Sequence, residues 1–190
     1  MNARKYVPPD TPPAAELFIP PTSVLLRETD LNIPRVTLSI ASEPFDSPDA
    51  QRLVEALDAG LAGLYQPSQM FGRNLQGEQT EAGRGAFLVA RVDGRAVGCG
   101  AIRLLAGGDA EVKRMYVEPA TRRRGIGRTV LERLEETARH LGARRLVLET
   151  GIHQLEAIEL YRQHGFTSVD CWGEYAGSPT SICLEKQLEN

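Results

Sequence analysis

Apolar residues along this chain alternate between a period of two and a helical period of roughly three to four, which predicts strands and helices in succession. Val36, Leu38 and Ile40 alternate with polar neighbours and predict a half-buried strand. Ser47-Pro48-Asp49 then reads as a helix start, with a hydroxyl N-cap, Pro at the first helical position and an acid at the positive helix end. Leu53, Val54, Leu57, Leu61 and Leu64 continue at helical spacing. Gln66 to Gly85 has few large apolar residues and predicts a long loop with room for one short helix, a kind of segment that is often functional or mobile. Two strands follow, Ala86–Val92 and Ala96–Leu104, joined by Asp93-Gly94, a strong hairpin signal. Gly107-Gly108 makes a second turn and Glu111–Val117 a third strand. Beyond Pro119 a helix is expected to about Leu141, with Ile126, Val130, Leu131, Leu134, Ala138 and Leu141 on one face. Leu146-Val147-Leu148 predicts a short buried strand. A second helix covers Gln154 to His164 and stops at Gly165. Phe166–Val169 and Ser181–Lys186 are the last strands. This order predicts a mixed sheet with helices packed on it, not a regular βαβ repeat.

Composition narrows the picture. A chain of 190 residues suits one compact domain, here expected over 36–190. Residues 1–35 begin with a segment crowded by prolines 8, 9, 12, 13, 20 and 21, read as a disordered tail or a docked arm. A net charge of −3 gives no electrostatic case for nucleic acid. No apolar run approaches the ~18 residues of a membrane span. No apolar stretch follows Arg4 and Lys5, so no secretory signal is expected and a cytoplasmic location is. Cys99, Cys171 and Cys183 match no zinc knuckle or CxxC pair; reduced thiols and no metal are the expectation.

The chemistry concentrates between Val112 and Arg128, where a strand ends, a turn follows and a helix opens with two glycines. The first N–H groups of a helix lack intrahelical partners and carry partial positive charge, so a backbone exposed by Gly125 and Gly127 suits an anion. Arg122, Arg123, Arg124 and Arg128 add cationic charge. The same residues also read as a glycine-softened helix start with solvated arginines. A Walker A loop is excluded, because no Gly-Lys-Ser/Thr occurs. A Rossmann turn has Glu149 at a suitable distance for a ribose, but Val130 occupies its third glycine position and Glu118–Arg124 is too long for its tight turn.

Arg122-x-x-Gly125-x-Gly127 resembles the Gln/Arg-x-x-Gly-x-Gly/Ala pyrophosphate loop of the GNAT superfamily of acyl-CoA N-acyltransferases. Downstream, Leu148-Glu149-Thr150-Gly151 and Ala157-Ile158-x-Leu160-Tyr161-x-x-x-Gly165-Phe166 are similar to the second half of that family's CoA site. The likeness spans about Val36 to Lys186, and Gln154 stands where many members have an Asn. It implies an α/β (α+β) fold: a mixed, mostly antiparallel sheet with a splayed parallel pair and helices on both faces. It also implies an acetyl-CoA-dependent N-acetyltransferase acting on a small-molecule or peptide amine, or else a non-catalytic acyl-CoA-binding domain. Backbone groups of Met115, Tyr116 and Val117 would pair with pantetheine. The N–H groups around Arg123–Arg128, Ile126 included, would hold the pyrophosphate, and Gln154 would touch CoA. Glu111 is the expected base, with Glu78 and Glu81 as alternatives; it also reads as a strand Glu paired with Lys113 or Arg103. Tyr161 is the expected proton donor to the thiolate, and also reads as a core Tyr packed on Phe166. Trp172, Glu174 and Tyr175 could wall the acceptor site or pack on a second subunit. A homodimer is expected, with Leu17, Phe18 and Ile19 needing cover.

Overall fold

In the computed structural model, Asp93 and Gly94 both take positive φ (49° and 82°), which folds the flanking apolar runs into an antiparallel hairpin. The structure describes residues 22–25, 36–69, 75 and 77–188. The clustered prolines and Leu17, Phe18 and Ile19 therefore lie outside the described residues. The strands are β1 (Thr22–Leu25), β2 (Thr37–Ser42), β3 (Gly85–Val92), β4 (Arg95–Leu104), β5 (Asp109–Val117), β6 (Arg145–Gly151), β7 (Thr167–Val169) and β8 (Ser181–Gln187). Among the described residues they form one sheet in the order β1-β2-β3-β4-β5-β6-β8-β7. Only β5 and β6 run parallel. The helices are α1 (Pro48–Ala62), α2 (Ile126–His140) and α3 (Leu155–Gln163).

Helices cover both faces of the sheet, because each strand alternates its side chains between them. On one face Ala110, Val112, Leu146, Leu148 and Leu184 lie in a core with Ile126, Val130, Leu131 and Leu134 of α2 and Tyr161 of α3. On the other, Phe87, Val89, Cys99 and Ala101 pack with Ala50, Leu53 and Val54 of α1. The Ser47 hydroxyl accepts from the Ala50 N–H and caps α1, as its sequence predicts. The long loop holds two short 3-10 turns, Pro67–Gln69 and Gly77–Thr80. Thr22–Leu25 adds an edge strand that the sequence pattern did not predict.

The expectation of reduced thiols is corrected at two of the three cysteines. Cys171 and Cys183 form a disulfide, while Cys99 is free and buried. The pairing follows from strand register: Val169 of β7 lies opposite Cys183 of β8, so the chain leaving β7 carries Cys171 back alongside it. Cysteine spacing alone gives no sign of that hairpin.

One irregularity makes the rest of the site. In β5, Lys113 pairs with Ala101 and Tyr116 with Cys99, so three steps of β5 face two of β4. Arg114 sits in this bulge with φ 56°. Gly100 lies opposite, where a Cβ would fall 2.7 Å from the Met115 sulfur and 2.8 Å from Leu134, a space only glycine leaves open. Pairing of β5 with β6 ends at Val112–Leu148, although β6 runs on to Gly151.

Candidate active site

Beyond Val112 the two parallel strands part, and a small cleft opens between them. Its walls include Lys113, Arg114 and Met115 from β5, Glu149 and Thr150 from β6, and Leu57 and Leu61 from α1. Gln154 and Tyr161 line it from the α3 side, and Tyr175 closes it from the segment before β8. Tyr116 and Val117 follow Met115 on the same splayed stretch of β5 and remain paired to β4. Arg114 is anchored from α1 by Asp58 at 2.8 Å, which fixes the bulge against that helix.

The turn at the top of β5 runs through a short 3-10 turn, Pro119–Thr121, into α2. Arg123 and Gly125 both adopt positive φ, 61° and 79°, which gives the turn its sharp course into α2. Gly125 is the N-cap of α2, with no side-chain cap, and Ile126, Gly127 and Arg128 form the first turn. The N–H groups of that first turn have no partner within the helix. Ile126 is buried and anchors the turn, whereas Arg122, Arg123, Arg124 and Arg128 are exposed around it. Arg122 and Arg123 lean toward Glu156 of α3, at 3.5 and 3.9 Å, and Arg128 pairs with Glu132. The Arg122 Nε also donates to the Val117 carbonyl at 3.0 Å, tying the turn to the end of β5.

Glu111 and Tyr161 both reach the cleft, in opposite circumstances. Glu111 is 1% exposed, and both of its oxygens are occupied. Arg103 approaches Oε2 through Nε and Nη2, each at 2.6 Å. Oε1 accepts from Lys113 at 3.3 Å and from the Tyr175 hydroxyl at 2.9 Å. Lys113 donates in turn to the Tyr175 oxygen at 2.8 Å. Both paired readings of Glu111, with Arg103 and with Lys113, hold at once. Burial pushes the Lys113 pKa down, and burial followed by the Glu111 charge pushes the Tyr175 phenol up. Tyr161 is 5% exposed, packs on Phe166, and keeps its proton because burial raises its pKa well above the ordinary phenol value. Glu78 borders a separate hollow with Gln79 and Arg84, and neither it nor Glu81 lines the cleft.

Of the residues in and beside the cleft, Tyr175 was expected as a wall of the acceptor site and Glu149 as part of the CoA-site motif, whereas Tyr65, next to the cleft, was not singled out from the sequence. Tyr175 is 2% exposed and turned inward onto Glu111 and Lys113, with Trp172 edge-on to its ring, while Glu174 is exposed. Tyr65, after α1, accepts the His153 N–H at 2.8 Å and holds the turn before Gln154 and α3. Its ring occupies the place of a Cβ on Gly151, which would fall 2.1 Å from its hydroxyl; that contact is the physical reason for glycine there. Glu149, whose carboxyl burial raises above the usual range, stands in the cleft. Among the described residues, no group of three or more His, Cys, Asp or Glu side chains could hold a metal ion.

Comparison with known proteins agrees with this geometry. The model of the acetyltransferase (GNAT) family matches residues 51–166. An IAA acetyltransferase from Azospirillum brasilense is 42% identical over 157 residues, covering 82% of this chain and 100% of that protein. A crystal structure assigned as an acyl-CoA N-acyltransferase, from Klebsiella pneumoniae, is 34% identical with a TM-score of 0.69, over 80% of this chain and 98% of that one. The fold also matches the PaiA N-acetyltransferase of Thermoplasma acidophilum, solved with coenzyme A, at TM-score 0.62 and 20% identity over 79% and 98% of the two chains.

Proposed function

The chain belongs to the acetyltransferase (GNAT) family, and from that premise we propose that it moves an acetyl group from acetyl-CoA to a primary amine in the cleft between β5 and β6. The observation that carries the reading is the parting of β5 from β6 after Val112, directly below a helix N-terminus ringed by arginines. The pyrophosphate sits on the N–H groups of Ile126, Gly127 and Arg128, with Arg122, Arg123, Arg124 and Arg128 supplying charge. The pantetheine arm runs down the gap along the backbone of Met115, Tyr116 and Val117, as an added strand would. Gln154 contacts it from the other wall.

The amine nitrogen attacks the thioester carbonyl, the C–N bond forms and the C–S bond breaks. Backbone N–H groups near Met115–Val117 stabilise the oxyanion. Tyr161, protonated through the working pH range, stands on the α3 side to protonate the departing sulfur. Glu111, expected to be the base, has two cations and a phenol on its carboxylate. Those contacts occupy both oxygens and make Glu111 a group that positions Tyr175 and Lys113.

Release of free thiol from acetyl-CoA across a panel of primary amines tests the function, and IAA belongs in the panel beside them. Turnover with at least one acceptor is expected. CoA binding without thiol release for any acceptor would instead make this a non-catalytic acyl-CoA-binding domain. We also propose a cytoplasmic homodimer. Tyr175, one of the residues expected to pack on a second subunit or wall the acceptor site, is buried in this structure and so does not serve the pairing. A cytoplasmic location fits the Cys171–Cys183 bond poorly, since disulfides persist mainly in oxidising compartments, and cell fractionation tests it.

A further inference from the structure

We infer that Tyr65 is a positioning residue for the acyl donor: its hydroxyl orders the turn before α3 and holds the Gln154 amide ready for the pantetheine arm. The inference rests on the acetyl-transfer reading above, and it adds a residue beside the cleft that acts through one of its walls.

The chain leaving α1 sets the Tyr65 side chain in place. After Ala62 the helix closes through Gly63, and the Leu64 and Tyr65 N–H groups both donate to the Leu61 carbonyl, at 2.9 and 3.0 Å. This closure leaves Leu64 51% exposed and Tyr65 only 8%. Hydrophobicity alone would bury the Leu before the Tyr. What the Tyr adds is a polar tip at the end of an apolar ring, and a buried phenol needs a partner for that tip.

The partner is the turn between β6 and α3. The Tyr65 oxygen accepts the His153 N–H at 2.8 Å, and its ring lies 5.4 Å from the His153 ring. The ring also fills the space that Gly151 leaves by lacking a Cβ. Burial raises the Tyr65 pKa, while the donors beside its oxygen, the His153 N–H and the Gln154 side-chain amide, act the other way. Three of the four residues from Gly151 to Gln154 therefore meet one side chain.

Gln154 is the residue whose chemistry this arrangement changes. It is the N-cap of α3, with φ −90° and ψ 60°, and its side chain makes no capping bond. An ordinary N-cap side chain satisfies the N–H groups of its own helix. This one lines the cleft instead. A Gln amide has a donor nitrogen and an acceptor oxygen. A nitrogen turned toward the Tyr65 oxygen leaves the carbonyl oxygen for the cleft, where it can accept an amide N–H of pantetheine. A Gln side chain also loses rotamer freedom when it binds a ligand, and ordering it beforehand removes that loss from binding. Tyr65 thus links the two walls: Leu57 and Leu61 of α1 line the cleft on one side, and Gln154 lines it on the other.

The test measures, by calorimetry, the affinity of CoA and of 3′-phospho-ADP, which keeps the pyrophosphate and lacks pantetheine. The proteins are wild type, Tyr65→Phe, Gln154→Ala and the double variant. Phe keeps the ring against Gly151 and removes only the hydroxyl. Loss of one neutral hydrogen bond predicts CoA binding about three- to tenfold weaker in each single variant. The double variant should be no weaker than the weaker single, because Tyr65 acts through Gln154. Affinity for 3′-phospho-ADP should not change. Equal losses for the two ligands would make the role of Tyr65 merely structural and overturn the inference. Additive losses in the double variant, or unchanged CoA affinity in Tyr65→Phe, would overturn it as well, and each leaves acetyl transfer intact. A wild-type protein that binds no CoA overturns the reading beneath, and the inference with it. If Tyr65→Phe does not fold, NMR of the wild type decides, with the Gln154 side-chain amide identified by its loss in Gln154→Ala. An amide already ordered without CoA supports the role, and one ordered only when CoA is added overturns it.

Discussion

Burial raises the Glu149 carboxyl above its ordinary pKa, and that single shift has consequences for pH and for stability. The folded protein favours the protonated form. Its contribution to stability is present below the unfolded carboxyl pKa and is lost as pH rises through the folded value. Glu149→Gln, permanently neutral, escapes that loss, so at pH 7 its thermal midpoint should equal or exceed that of wild type. A clearly lower midpoint would show that the charge is stabilised by its surroundings. Gly151 carries a different constraint, because its missing Cβ is the space filled by the Tyr65 hydroxyl. Gly151→Ala must displace that ring and free the His153 N–H, at a cost of about 1–3 kcal/mol, the range of overpacking in tight interiors. Urea unfolding measures it, and Tyr65→Phe should recover none of the loss, because the clash reaches ring carbons too.

Among the elements, the turn into α2 and the bulge in β5 define the site, and they were unequally legible in the sequence. Gly125 and Gly127 predict a helix start among arginines, and α2 begins there, because a helix start and its charges are local. The hairpin at Asp93-Gly94 and the Ser47 cap are equally local, and each appears where its residues predict. The bulge at Arg114 was not legible: a non-glycine residue at φ 56° leaves no mark in the sequence, and the glycine that accommodates it, Gly100, lies on another strand. Of the partners of Glu111, Arg103 and Lys113 were legible as strand neighbours, whereas Tyr175, which comes from 64 residues away, was not. The same logic hides the Cys171–Cys183 bond, which depends on how β7 pairs with β8. At the turn, Glu156 competes for Arg122 and Arg123 from exposed positions. Exposed ion pairs contribute about 0.2–1 kcal/mol, so Glu156→Gln should tighten CoA binding by about fivefold at most, and calorimetry at low salt should detect it.

For the molecule as a whole, the disulfide fastens the segment that carries Tyr175 onto β8. Cys171 and Cys183 are 12 residues apart, and a loop of about that size contributes about 3 kcal/mol in the chain-entropy model. Reduction, or Cys171→Ser, should lower stability by that order and loosen the segment that carries Tyr175; chemical denaturation with and without reductant measures it. Sedimentation at high micromolar concentration tests the homodimer, with a monomer as the opposing result. The central claim is that acetyl-CoA binds with its pyrophosphate on the first turn of α2. Calorimetric titration of CoA into wild type and Gly127→Val tests it most directly, with circular dichroism to show that both are folded. A Cβ at Gly127 meets only Val117 and Leu160 side chains, at an ordinary 3.6 Å, so the fold should survive the substitution while the approach to the helix N–H groups narrows. The account predicts saturable CoA binding to wild type and a loss of at least tenfold in affinity for Gly127→Val; equal affinity in the two folded proteins would contradict it.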